Sequence, residues 1–482
     1  MQVQGGQARV GGYAQAAALD RQPLSAFHWK LLLLAGIGWM FDAMDVGLIT
    51  FVLPVLGAEW KLAPDLRGLI LSAGFLGMFV GAAVAGTLAD RFGRTLVFSS
   101  TLGIFAVATG LTALVPSPDV PAGVQAVDLA HLGDYGSLMT SVIILLVLRF
   151  LVGLGLGGEL PVASTLVGEW APAEQRGRLM VLLESFWAYG WIIAAAVGLL
   201  LIPALPGGWR IAFALGAIPA LYTLILRRSI PESPRYLESR GDAAGARTMM
   251  QAAGMQAADV AASGRATAAP GAGQALRRLF QPGLVRRTVM LWILWFGIVF
   301  SYYGIFSWLP TLMTQHSSLV RGFQYTFLIT LAQVPGYFSA AWLVERWGRK
   351  PTLIAYLIGT ALGALLYGYA LVDPGVPDAW LVFSGAVLSF FNLGAWGVVY
   401  TYTPEQYPTA VRGSGAGWAA AVGRLGGILG PYVPGLWLGA GFGKEGLFAV
   451  FTVVVLITAV AVGLLGTETR GRRLEEISAE VE

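Results

Sequence analysis

Six ionisable side chains stand inside long apolar runs of this sequence, where a charge needs a reason. Asp42 and Asp45 fall in 31–56, Arg149 and Glu159 in 138–167, Glu184 in 179–202 and Arg424 in 413–438. A charged group at the centre of a bilayer costs about 3 kcal/mol on insertion scales, so it takes a partner or a watery cavity. Asp42 and Asp45 are three residues apart and share a helical face. An arginine beside one of two neighbouring carboxylates makes a site whose charge changes with protonation. The same residues also make a static salt bridge that locks two helices together. Arg424 has no acid nearby in its own run. Its planar fork matches a carboxylate, and pairing with backbone carbonyls of neighbouring helices is the plainer use.

Aromatic residues supply the second pattern. Asn392, Trp396 and Tyr400 are spaced by four, as are Trp187 and Trp191, and each set forms one stripe on a helix. Tyr302 and Tyr303 precede Gly304, which lets a helix loosen. Such rings stack on a flat ligand, and a tyrosine hydroxyl or Asn392 would satisfy a polar atom on it. Packing between helices, or belts at the lipid interface, are the alternatives.

The elements that position these groups follow from composition. The 482 residues are 56% hydrophobic and 12% charged, against roughly 25% charged in a soluble domain. A charged shell for a soluble enzyme is missing. The absence of cysteine excludes a disulfide framework, thiol chemistry and cysteine-ligated metal. A formal net charge of +4 gives no support to a nucleic-acid partner. His28, His131 and His316 show no metal spacing, so neither metal nor cofactor is expected. Gly153-Leu-Gly155-Leu-Gly157-Gly158 satisfies a literal dinucleotide pattern, but it sits inside an apolar span and reads as small residues that let helices approach. No phosphate-binding loop for ATP is present, and no nucleophile–base–acid set points to a membrane-embedded enzyme.

Runs of about 20 apolar residues, enough to cross a bilayer, number twelve: 31–56, 66–88, 96–115, 138–167, 179–202, 211–226, 289–313, 323–344, 353–371, 380–402, 413–438 and 447–465, hereafter spans 1 to 12. Most of the 31 Lys and Arg fall on the side of both termini, while Lys61, Arg67, Arg210, Arg321 and Lys444 fall on the other. This bias predicts cytoplasmic termini. At ~1.5 Å per residue, Asp45 lies about 21 Å up span 1 and Arg149 roughly 16 Å down span 4, at similar depth. Residues 1–30 read as a disordered tail, without the pattern of a signal peptide. An Ala/Gly-rich stretch within 229–287 reads as a linker between halves 31–228 and 288–466, and 467–482 as a second cytoplasmic tail.

The halves repeat their punctuation. Asp90-Arg91-Phe92-Gly93-Arg94 after span 2 answers Glu345-Arg346-Trp347-Gly348-Arg349 after span 8. Glu169, Pro172 and Arg176 after span 4 answer Glu405, Pro408 and Arg412 after span 10 at the same spacing. The first half is longer between these motifs, and the excess falls in the outer loop around 116–136. Two copies of a six-helix unit suit a transporter with its site where the copies meet.

These loops, with Pro231-Glu232-Ser233-Pro234-Arg235 after span 6, resemble the major facilitator superfamily over about 31–465. Phe41-Asp42-Ala43-Met44-Asp45-Val46-Gly47, the stretch from Arg149 to Glu169 and Pro404-Glu405-Gln406-Tyr407-Pro408 are similar to the bacterial niacin transporters and their synaptic-vesicle-glycoprotein relatives, with aromatic-acid/proton symporters the neighbouring branch. The resemblance implies an all-α membrane protein, with twelve transmembrane helices in two pseudo-symmetric six-helix bundles and both termini cytoplasmic. It implies a monomeric secondary transporter in the bacterial inner membrane that works by alternating access. Nicotinate or nicotinamide would be taken up, with protons. A symporter or exporter of another aromatic acid, and a ligand sensor without flux, are the alternatives.

Spans 1, 4, 5, 7, 10 and 11 line the central path in such folds. That assigns substrate binding to Trp187, Tyr302, Tyr303, Asn392, Trp396, Tyr400 and Arg424. Proton coupling goes to Asp42 or Asp45 with Arg149, and Glu159 or Glu184 would be a second protonation site or a partner of Arg149. Asp90, Arg91, Arg94, Glu169, Arg176, Glu345, Arg346, Arg349, Glu405 and Arg412 are expected to gate the cytoplasmic side through ion pairs that hold it shut in one state.

Overall fold

The computed structural model describes residues 23–470 apart from 122, 173–174, 230–231, 240–241, 256–271 and 409–410. Most of the expected N-terminal tail and the middle of the linker therefore lie outside the described residues. So do the side chains of Asp90, Arg94, Glu159 and Arg176.

Nearly every described residue of the expected spans is helical, as it must be where lipid offers backbone groups no partner. Among the described residues eleven helical segments are long and apolar enough to cross a membrane. The helix at span 11, Arg412–Gly439, has 28 residues, about 42 Å at 1.5 Å per residue. It falls outside those eleven because its glycines and Arg424 dilute its hydropathy. The expected linker is not wholly irregular, since Pro234–Ser239, Ala243–Ala252 and Ala272–Leu279 are short helices.

Three expected continuous spans are broken, each by a proline that removes a hydrogen bond and crowds the carbonyl four residues earlier. Span 6 divides into Gly208–Leu215 and Ile218–Ser229, four residues ahead of Pro219. Span 7 divides into Val285–Phe306 and Leu309–His316 ahead of Pro310, and span 8 into Leu319–Leu331 and Gln333–Trp347 ahead of Pro335. Pro54, Pro404, Pro431 and Pro434 are instead absorbed inside continuous helices.

Packing repeats between the halves. Span 1 packs on span 5 as span 7 packs on span 11, span 2 on span 4 as span 8 on span 10, and span 3 on spans 4 and 6 as span 9 on spans 10 and 12. The glycine-rich stretch of span 4 is a packing seam. A Cβ on Gly153 would strike the Gly74 carbonyl of span 2, and one on Gly157 the Met78 carbonyl. That geometry disposes of the dinucleotide pattern.

The two motif loops turn alike. Gly93 has φ +102° and Gly348 φ +105°, a conformation that glycine alone enters at little cost. Each loop is then held by a distant acid. Glu232 accepts the Thr95 N–H at 3.3 Å at the start of span 3, and Glu468 accepts the N–H groups of Arg349 and Lys350 at 3.0 and 2.9 Å at the start of span 9. Both acids also suit the positive end of a helix dipole. The equivalence of Glu232 and Glu468 was not read from the sequence, because only Glu232 lies in a motif with neighbouring prolines.

The halves meet most closely where span 2 begins and span 11 ends. A Cβ on Gly68 would lie 3.1 Å from the Gly435 Cα, and the Ser72 hydroxyl donates to the Ile428 carbonyl at 2.8 Å. Spans 5 and 8 make the pseudo-symmetric contact. Toward the other end the same helices part.

Candidate functional site

A cavity of about 900 Å³ fills the gap between the halves. Span 2 contributes Phe75 to Ala83, span 5 Glu184 and Trp187, span 7 Trp295 to Tyr303, span 10 Trp396 to Pro404, and span 11 Ser414 to Gly427. Its mouth lies toward the ends of spans 2 and 10 that carry Phe92 and Glu405, where Trp418 on the wall is partly exposed. The closed end is the Gly68–Gly435 contact.

Six of the seven residues expected to bind substrate line this cavity: Trp187, Tyr302, Tyr303, Trp396, Tyr400 and Arg424. Their rings form one continuous layer. The Trp187 indole N–H donates to the Tyr302 hydroxyl at 2.8 Å, joining the halves, and Trp396 stacks near Tyr400 at 5.6 Å between centroids. Tyr302 lies 6.0 Å from Trp396 and 4.9 Å from Tyr303. Asn392 is the exception. It heads the span 10 stripe, but it is buried a turn beyond Trp396 toward the closed end and does not reach the cavity wall. Trp191 likewise lies behind the wall, packed edge-on against Tyr302 and Phe306.

Sequence reading missed Trp39, Phe75, Trp295 and Tyr337 on the wall. Trp39 meets Trp187 at 4.8 Å, Phe75 meets Tyr303 at 4.2 Å, and Trp295 meets Tyr400 at 5.4 Å while its N–H bonds Thr403 at 2.9 Å. Trp39 could have been found, since it precedes Asp42 by one helical turn. Phase alone does not distinguish the others from packing aromatics.

Among the described residues lining the cavity, Arg424 is the one cation and Glu184 the one acid. Among the described residues Arg424 makes no ion pair or hydrogen bond. The reading that seated it on backbone carbonyls therefore has no contact behind it. Tyr303 and Tyr400 lie within electrostatic reach of both Arg424 and Glu184.

The other arginine inside an apolar span has the opposite surroundings. Arg149 Nη1 lies 3.3 Å from Asp45 Oδ2, with both residues buried. Its Nη2 donates to the Thr112 hydroxyl at 3.1 Å, and its guanidinium lies 5.0 Å from the centre of the Phe213 ring. The Thr109 hydroxyl donates to the other Asp45 oxygen. Of the two aspartates considered for Arg149, the geometry selects Asp45, and Asp42 is buried one turn away on span 1. A separate space of about 30 Å³ touches Asp45, Arg149 and Ser307. It shares Phe75, Met78 and Leu156 with the main cavity, so those side chains form the partition.

Several of the motif charges make contacts inside their own half. Arg349 bridges Glu405 at 3.2 Å and Glu345 at 3.6 Å, tying span 9 to spans 8 and 10. Arg412 donates to the carbonyls of Pro404 and Tyr407, Arg346 lies over Trp342, Arg91 over Phe92, and Glu169 is partly buried. Each of these contacts lies within one half.

The sugar (and other) transporter family model matches residues 50–481. The chain is similar to the niacin transporter of Acinetobacter baylyi, 45% identical, with 95% of this chain and 98% of that one covered. It is similar also to the putative niacin/nicotinamide transporter of Bacillus subtilis, at 43% with 94% and 99% covered. In fold it matches the partially occluded, inward-open xylose transporter XylE of E. coli with a TM-score of 0.73, at 21% identity over 93% of this chain and 100% of that one. Family and relatives are transporters and not enzymes. The chain is thus a multi-pass membrane transporter of the sugar (and other) transporter family, within the major facilitator superfamily.

Proposed function

We propose that this protein carries nicotinate, or its amide, into the cell by alternating access and in company with protons. One observation carries the reading: an arginine with no bonding partner among the described residues faces a cavity walled by tryptophan and tyrosine, in a chain 45% identical to a niacin transporter. Arg424 would hold the carboxylate through its two-pronged fork. The indoles of Trp187 and Trp396 would flank the ring, because offset and edge-on contacts favour flat ligands. Apolar walls with a few convergent polar groups are the usual make-up of a small-molecule site.

In this reading Arg412–Gly439 is the twelfth span, in two six-helix bundles, 31–228 and 288–466, that rock against each other. Arginine and lysine bias supports both termini in the cytoplasm of a bacterial cell, with the mouth of the cavity on the inner side. The cavity then faces inward. Rocking would open the Gly68–Gly435 contact and bring the motif ends of the two halves together. The motif charges, Asp90, Arg94 and Arg176 included, would stabilise that inner closure. Asp45 is the proton carrier, since its protonation would release Arg149. The functional unit is a monomer.

Labelled nicotinate uptake into proteoliposomes tests this reading. A pH gradient, acid outside, should drive accumulation that unlabelled nicotinamide reduces. Binding without accumulation would favour a sensor, and benzoate outcompeting nicotinate would favour the aromatic-acid branch.

A further inference from the structure

Glu184 stands on the cavity wall, where none of the steps proposed above uses it. It lies on span 5 one turn before Trp187, beside the Trp39 indole, and is 5% exposed. It forms no ion pair with Arg424 or with any other described cation. A buried carboxyl facing a ligand space on one half, and an arginine facing the same space from the other, make a site with two chemically opposite poles. Glu184 and Arg424 line the same cavity, with Tyr303 and Tyr400 on its wall, so the two poles belong to one space.

Resting on the reading of this cavity as a heteroaromatic-acid site, we propose that Glu184 recognises the ring nitrogen of the ligand while Arg424 takes its carboxylate. A pyridine nitrogen is an acceptor, and a carboxyl is a donor only while it holds its proton. Ring nitrogen and Glu184 therefore share one proton. It resides either on the carboxyl, which donates to a neutral ring, or on the ring, which donates to a carboxylate. No bond other than that to the proton is made or broken. In either form the site accepts a flat acid with a ring nitrogen and disfavours the same acid without one, because a buried polar group would be left unpaired. Sites built this way discriminate far more strongly than apolar pockets do. Glu184 is thus a specificity-determining residue of the first half, and ligand binding engages both halves at once.

Binding of nicotinate and of benzoate, which keeps the carboxylate and lacks the nitrogen, is measured on the purified full-length protein. The wild type is expected to prefer nicotinate by tenfold or more. Glu184→Met should abolish that preference while benzoate binding is retained, which also reports an intact fold. Glu184→Gln keeps a donor but cannot exchange the proton, and is expected to restore part of the preference. If Glu184→Met leaves the nicotinate-to-benzoate ratio unchanged, or weakens both ligands equally, the proposal is overturned. Failure of the underlying reading looks different: the wild type would bind neither ligand, or Arg424→Gln would leave both affinities unaltered.

Discussion

Two arginines lie at transmembrane depth in this protein, and they are treated in opposite ways. Arg149 is enclosed within the first half, with a carboxylate at 3.3 Å, a threonine hydroxyl at 3.1 Å and an aromatic face beneath it. Arg424 stands in the second half on the wall of an open cavity, with no bonding partner among the described residues. A buried pair is costly to break, because removal of one member strands the other's charge. An unpaired arginine at the edge of a wet cavity is free to bind something that arrives. On the proposed function Arg149 does structural and coupling work inside the first half while Arg424 anchors the ligand from the second, with the Phe75, Met78 and Leu156 partition between the two sites.

The largest effect expected from this contrast is on stability. Arg149→Leu should destabilise the protein by about 3–5 kcal/mol, the cost of an uncompensated buried charge. Thermal unfolding in detergent reads this, and Asp45→Asn on the same background should recover part of the loss. Arg424→Gln should leave the unfolding temperature nearly unchanged. Its effect belongs to binding, where loss of a charge-assisted contact is worth about 2–3 kcal/mol, or roughly 100-fold in nicotinate affinity by titration. A large stability loss from Arg424→Gln would erase the distinction. The smallest effect is that of Trp396→Ala, whose lost ring contact should weaken nicotinate by about tenfold with little change at Asp45–Arg149.

The sequence made the halves legible because charges in apolar runs and repeated loop motifs survive without knowledge of packing. Gly93 and Gly348, from matching loops, adopt nearly the same φ, and depth along two antiparallel helices brought Arg149 level with Asp42 and Asp45 without choosing between them. Helical phase was the weaker guide. It grouped Asn392 with Trp396 and Tyr400, but a stripe of three spans more than 10 Å of helix, and only its lower part reaches the cavity. Trp295 and Tyr337 stayed hidden because an aromatic on a buried helix looks the same whether it faces a cavity or a neighbour. The motif charges expected to gate were legible as a set, but their partners were not. The Arg349–Glu405 bridge lies inside one half, and sequence spacing does not specify which conformational state is populated.

The division of labour is tested most directly by Asp45→Asn in proteoliposomes, with two readouts on the same preparation. Exchange of labelled for unlabelled nicotinate requires capture and rocking only, whereas accumulation driven by a pH gradient also requires the coupling pair. Asp45→Asn is expected to retain exchange and lose gradient-driven accumulation. Accumulation that persists at the wild-type level in this variant would contradict it.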